Sequence, residues 1–102
     1  MSGDPSIVDI PGAARYEARV DDEIAGFAEY VRTPKMIVFT HTEVDPIYSG
    51  KGVGSAIARK ALDDARAANA KVLPICPFIA EWISRHPDYE DLVFKNRSQV
   101  ND

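Results

Sequence analysis

The chain has a single cysteine, two histidines and no apolar run near the roughly 20 residues that cross a bilayer. Lone Cys76 forms no internal disulfide, and one cysteine with two histidines does not supply the spaced ligand set of a zinc site. Neither a disulfide scaffold, a metal centre nor a membrane span is expected. The N-terminus has no basic segment followed by an apolar one, so no secretory leader is visible and the expected compartment is the cytoplasm. Positive charge is also short, with 12 Lys and Arg against 16 Asp and Glu and a net charge of −4. Nucleic acid, whose binding rests on neutralising phosphates, is therefore not an expected partner. A cationic amine is mildly attracted by the same field, whereas an anionic ligand must rely on local N–H groups and nearby basic side chains.

What remains is 102 residues of ordinary globular composition, enough for one domain over 1–102 with one core and one site. Residues 1–6 and 95–102 read as loose tails. Residues 7–10 form a short strand candidate closed by Pro11-Gly12. Ala14, Tyr16, Ala18 and Val20 then alternate with Arg15, Glu17 and Arg19, which places the first set on a core and the second in water. Asp21-Asp22 supplies a turn. Residues 24–32 carry apolar side chains on both faces, as a covered strand would, and residues 36–44 form the most apolar strand, stopped by Asp45-Pro46.

From about residue 52 to 68, Val53, Ile57, Ala58, Ala61, Leu62, Ala65 and Ala68 recur on one half of a helical cylinder, with Asn69 as a left-handed cap. A strand over 71–76 follows, and a second short helix opens at Pro77, carries Phe78, Ile79, Trp82 and Ile83, and ends by Pro87. Leu92, Val93 and Phe94 can dock on the core. The fold class is α/β or α+β, with a mixed, mostly antiparallel sheet flanked by a long helix and a short C-terminal one. The last strand is expected parallel to 36–44. Pro74 lacks a donor, so that strand should part from its neighbour in its C-terminal half.

Ser49-Gly50-Lys51-Gly52-Val53-Gly54-Ser55 joins the apolar strand to the long helix, where the free N–H groups of a first turn can converge on an anion. It is not a Walker A loop, because Lys51 is followed by Gly52 rather than Ser or Thr, and its glycine spacing is too tight for a dinucleotide fingerprint. The glycines equally suit a tight turn that lets helix and sheet approach. Lys51, Arg59 and Lys60 lie near the start of the helix and are either phosphate contacts or solvated charges.

Gly52 and Gly54 match the signature of the GNAT N-acetyltransferases, and HTEV from His41, GVGSA from Gly52, LDDAR from Leu62, CPF from Cys76 and RHPDY from Arg85 together resemble the minimal single-domain members of that superfamily. Ser49 stands where Arg or Gln is usual. The resemblance implies coenzyme A, as acetyl-CoA, held by Val44, Gly50, Lys51, Gly52, Val53, Gly54, Ser55, Cys76 and Phe78, with splayed fourth and fifth strands admitting its pantetheine arm. It further implies acetyl transfer to an amine, either a small amine or a protein amino group. A binding or interaction module that has lost turnover is the alternative, and the oligomeric state is left open.

Transfer to a lysine-like amine needs a proton acceptor, since at pH 7 only about 4 in 10,000 such groups are neutral. His41 and Glu43, two residues apart on one strand face, are candidates for that base, or else a packing residue and a capping carboxylate. Cys76, before a helix start, is a candidate acyl-enzyme nucleophile or a small buried hydrophobe. Trp82 reads as core. Tyr89 reads as packing, or as the phenol that the resemblance would place near the departing thiolate.

Overall fold

The computed structural model describes residues 5–95. Five strands, β1 (Ser6–Ile10), β2 (Arg15–Val20), β3 (Glu23–Arg32), β4 (Met36–Val44) and β5 (Lys71–Pro74), form one sheet in chain order. The first four are antiparallel neighbours and β5 runs parallel to β4. Helices α1 (Val53–Ala67) and α2 (Pro77–Ser84) complete the α/β fold anticipated above.

Local chemistry accounts for most of these boundaries. Asp21 and Asp22 both take positive φ, 51° and 71°, and close a two-residue hairpin between the paired Val20 and Glu23. Short polar side chains tolerate that conformation, whose twist matches the flanking strands. Asn69, at φ 57°, ends α1 as expected: its N–H donates to Arg66 and that of Ala70 to Ala65, the paired bonds of a Schellman cap. Ile57, Ala58, Ala61, Leu62 and Ala65 of α1 are buried against the sheet, whereas Ala68 lies beyond the helix and is exposed.

Several expectations change. Ser6, assigned to a tail, begins β1; the other expected tail residues, apart from Pro5 and Lys95, lie outside the described residues. Ala14 is exposed at φ 54° and ends a short 3-10 turn, so β2 starts one residue later. Glu17, expected in water, is buried because the Arg15 and Arg19 guanidinium groups close over it, each 2.7 Å from one carboxylate oxygen. Val31 and Ile24 of β3 are exposed, so the sheet face away from α1 is less covered than an apolar β3 suggested. β5 ends at Pro74 rather than at Cys76, because proline lacks the ladder donor and the Ile75 N–H turns back onto Leu73. Leu92 is buried and Val93 bridges to Val72 on β5, while the Phe94 side chain remains partly exposed.

The Glu17 cluster has a titration consequence. Hydrogen bonds from Arg19, then Arg15, hold its carboxyl below the usual glutamate range. Because the folded state binds the proton less readily than the unfolded chain, the cluster's contribution is present at neutral pH and is lost as pH falls through the depressed value. Acid unfolding of Glu17→Gln is expected to begin from a lower stability and show a shallower pH dependence than the parent, read as Tm between pH 7 and pH 3. An acid limb parallel to the parent's would refute this.

Candidate functional site

Pairing between β4 and β5 runs only from Met36 with Lys71 to Phe39 with Pro74. The Cys76 N–H makes one more bond, 2.8 Å to the Phe39 carbonyl, and then the chain turns into α2. From Thr40 to Val44, β4 therefore has no strand beside it on that edge among the described residues, and the predicted parting of the strands is present. At the end of β4 the Asp45 carboxylate accepts the Ile47 N–H at 3.1 Å, and a short 3-10 turn, Pro46–Tyr48, leads into the glycines.

Those glycines have separate roles. Gly50 and Gly52 sit at φ 77° and 80°, and a Cβ at either would meet nothing within 4 Å, so their requirement is conformational. Gly52 caps α1. At Gly54 the reason is packing, since a Cβ there would lie 2.6 Å from the tip of the Phe78 ring. The result is a helix start whose first N–H groups, on Val53, Gly54 and Ser55, have no acceptor within the helix, at the positive end of its dipole.

These groups border a groove of about 430 Å³ between the start of α1 and the face of α2. Val44, Gly50, Gly52, Val53, Gly54, Ser55 and Phe78, the cofactor-binding candidates named above other than Lys51 and Cys76, line it. Tyr48, Ser49, Glu81, Trp82, Arg85 and His86 line it too. The Trp82 indole N–H donates to the Ser55 hydroxyl at 2.8 Å and ties the two helices together across the groove. Trp82 is thus both core and wall. Arg85 is paired with Glu81 at 2.7 Å. Burial, then the nearby Glu23 carboxylate, holds the Tyr48 phenol above its ordinary range, so it stays a donor.

Other predicted residues fall elsewhere. Lys51 is exposed and does not line the groove. Arg59 lies over the Trp82 ring, 5.3 Å from its centroid, and Lys60 pairs with Asp64 at 3.2 Å. Tyr89 is buried and donates to Asp63 at 2.7 Å, a bond that raises its pKa; it pins the last turn to α1 and is absent from the groove wall. Cys76 is buried, precedes the first residue of α2, and donates its S–H to the Thr42 hydroxyl at 3.2 Å rather than lining the groove.

His41 and Glu43 share a strand face as expected, with Nε2 and Oε2 2.8 Å apart and both side chains more than half exposed. They do not line the groove. They sit beside Phe27 on the sheet face away from α1, while the intervening Thr42 meets Cys76 and Val44 lines the groove. Thr40 is the physical reason: it is an extra residue between the Tyr30–Phe39 and Glu29–His41 pairs, so the bulge swaps the faces of every residue after it. Helical periodicity alone left Arg85 and His86 unassigned, because it does not say which face of α2 meets the start of α1. Among the described residues no group of three or more His, Cys, Asp or Glu is placed to hold a metal, and no helix is long and apolar enough to cross a membrane.

Comparison with known proteins gives a consistent result. A GCN5-like protein from Staphylococcus aureus has the same fold over 99% of this chain and 98% of its own, with a TM-score of 0.69 and 20% identity. A ribosomal-protein-alanine N-acetyltransferase from Brucella melitensis biovar Abortus superposes with a TM-score of 0.57 at 21% identity, over 80% of this chain and 62% of its own. Rv2747 of Mycobacterium tuberculosis, solved in complex with CoA, superposes with a TM-score of 0.55 at 26% identity, over 72% of this chain and 47% of its own. No curated protein matches the sequence. The model of the GCN5-related N-acetyl-transferases matches residues 15–92, which contain every strand but β1 and both helices. The chain belongs to the GCN5-related N-acetyltransferase family, whose cosubstrate is acetyl-CoA.

Proposed function

We propose that this protein moves an acetyl group from acetyl-CoA to an amine. The observation that carries this reading is the groove at the parted ends of β4 and β5, bordered by the N–H groups of Val53, Gly54 and Ser55, which have no backbone acceptor among the described residues. The pyrophosphate sits on those donors. Ser49, which brings no charge, leaves the task to the backbone. The acyl arm follows the open edge of β4 toward Thr42 and Cys76.

In the direct route the amine lone pair attacks the thioester carbonyl, the C–S bond breaks and CoA leaves as thiolate, while the proton lost by the amine passes to Glu43 and its partner His41. In the covalent route the Cys76 sulfur takes the acetyl group first, with loss of its proton and of CoA, and the amine then displaces it. Both need the amine deprotonated. Thr42 supports placing the two chemistries together: it lies between His41 and Glu43 in the chain and touches Cys76, so only the thickness of the strand separates them. The acceptor is an amine of a small molecule or a protein; net negative charge favours a cationic one.

One arrangement favours a second reading, an acyl-CoA-binding module without turnover: neither the buried Cys76 nor the His41–Glu43 pair lines the groove. Calorimetry with acetyl-CoA, followed by an amine panel monitored for free CoA, separates the two. Saturable binding with amine-dependent release is expected. Binding without release would leave the module, and no binding would sink both. Mass spectrometry after acetyl-CoA alone reports on Cys76, since the covalent route requires an acetylated thiol and full turnover by Cys76→Ala removes that route.

A further inference from the structure

His86 lies where α2 gives way to the next turn, half-buried in the groove wall. Its ring stacks on Trp82 with centroids 3.7 Å apart and planes 10° from parallel, and its Nδ1 is 2.7 Å from the Trp82 carbonyl. That bond makes Nδ1 the donor and fixes the ring orientation. Trp82 is itself held by the Ser55 hydroxyl, by Arg59 over its ring and by Tyr89 at 5.2 Å. The imidazole is therefore a flat plate clamped by two contacts, with one face on indole and no other ring against it among the described residues.

The same groove has phosphate chemistry at its other wall, the free N–H groups at the start of α1. Trp82 touches both ends, bonding Ser55 of that first turn and stacking on His86. A ligand that satisfies both ends carries a phosphate and, a short spacer away, a flat heteroaromatic ring. That is a nucleotide. Stacking on a preformed aromatic plate takes any base and adds affinity without added ordering of the side chain.

We propose that His86 is the stacking platform for the adenine of the acyl-CoA. The assignment rests on the groove reading above and adds a recognition residue to it. It explains how a site with a neutral Ser49 still holds a nucleotide: the missing cation is offset by a π surface rather than by another charge.

Calorimetry with acetyl-CoA and steady-state fluorescence with 1,N6-etheno-CoA, whose emission is quenched by stacking, test it on the full chain. His86→Ala is expected to weaken acetyl-CoA binding about tenfold and to leave saturating etheno-CoA bright. His86→Phe keeps a flat ring, so affinity within about twofold of the parent and quenched emission are expected. Unchanged affinity in His86→Ala, equal brightness in all three proteins, or His86→Phe falling with His86→Ala would each overturn the platform. The last outcome would mean that a ring nitrogen, for the ligand or for the bond to the Trp82 carbonyl, matters more than the ring face. Should the parent protein bind neither probe, the groove reading fails and the platform with it; parent binding with an unaffected His86→Ala removes the platform alone.

Discussion

Replacing Gly26 with valine is expected to cost about 3 kcal/mol or more, which at this size corresponds to a fall in Tm on the order of 15 °C. Gly26 is buried in β3, paired with Ala18 on one side and Val44 on the other. Even one added carbon would lie 2.7 Å from the Glu43 carbonyl oxygen, 3.3 Å from the Val44 Cα and 3.3 Å from a Val53 methyl. Two of those atoms are backbone. A side chain swings aside cheaply, whereas the β4 backbone moves only by loosening its ladder with β3. The third atom belongs to the first residue of α1, so the substitution also pushes the helix start off the sheet and distorts the groove. Since domains of this kind are stable by roughly 5–15 kcal/mol in all, a large share of the total is at stake. Thermal unfolding followed by circular dichroism checks it, and a Tm within about 2 °C of the parent's, less than 1 kcal/mol, would show that the contact relaxes freely.

Glu43→Gln is expected to lower the acetyl-transfer rate by about 10²-fold or more, with acetyl-CoA affinity unchanged because Glu43 lies outside the groove wall. Presenting a neutral lysine-like amine at pH 7 costs about 4.6 kcal/mol, whichever atom carries the acetyl group, so the base matters in both routes. His41 lies 2.8 Å away, and the proposed function has the two act as a unit. The pair should then be non-additive, with the double variant His41→Ala, Glu43→Gln little slower than Glu43→Gln alone. Steady-state rates against pH are the measurement. A Glu43→Gln enzyme that keeps its rate but loses affinity would place the carboxylate in binding and end its assignment as the base.

The strands, both helices and the glycine turn were legible because each is written in local chemistry. Alternation marks β2, the 3.6-residue period marks α1, Asp21-Asp22 and Asn69 tolerate positive φ, and Pro74 withholds a donor. Glu17 was misplaced because alternation reports which face a residue takes and not what covers it; two arginines two residues away on either side closed over the carboxylate. Gly26 gave no signal at all, since close approach is made by the partner strand.

For the site, the chain alone determined a glycine turn at a helix start and the order of elements that marks the family, because spacing within one turn and one helix is a short-range property. Tertiary structure decided the rest. The bulge at Thr40 turned His41 and Glu43 away from the groove, the end of β5 at Pro74 buried Cys76 against Thr42, and the packing of α2 on Ser55 brought Trp82 and His86 to the wall. Each depends on contacts between residues far apart in the chain, where a single-residue shift reverses the face a side chain presents, and no local pattern records that.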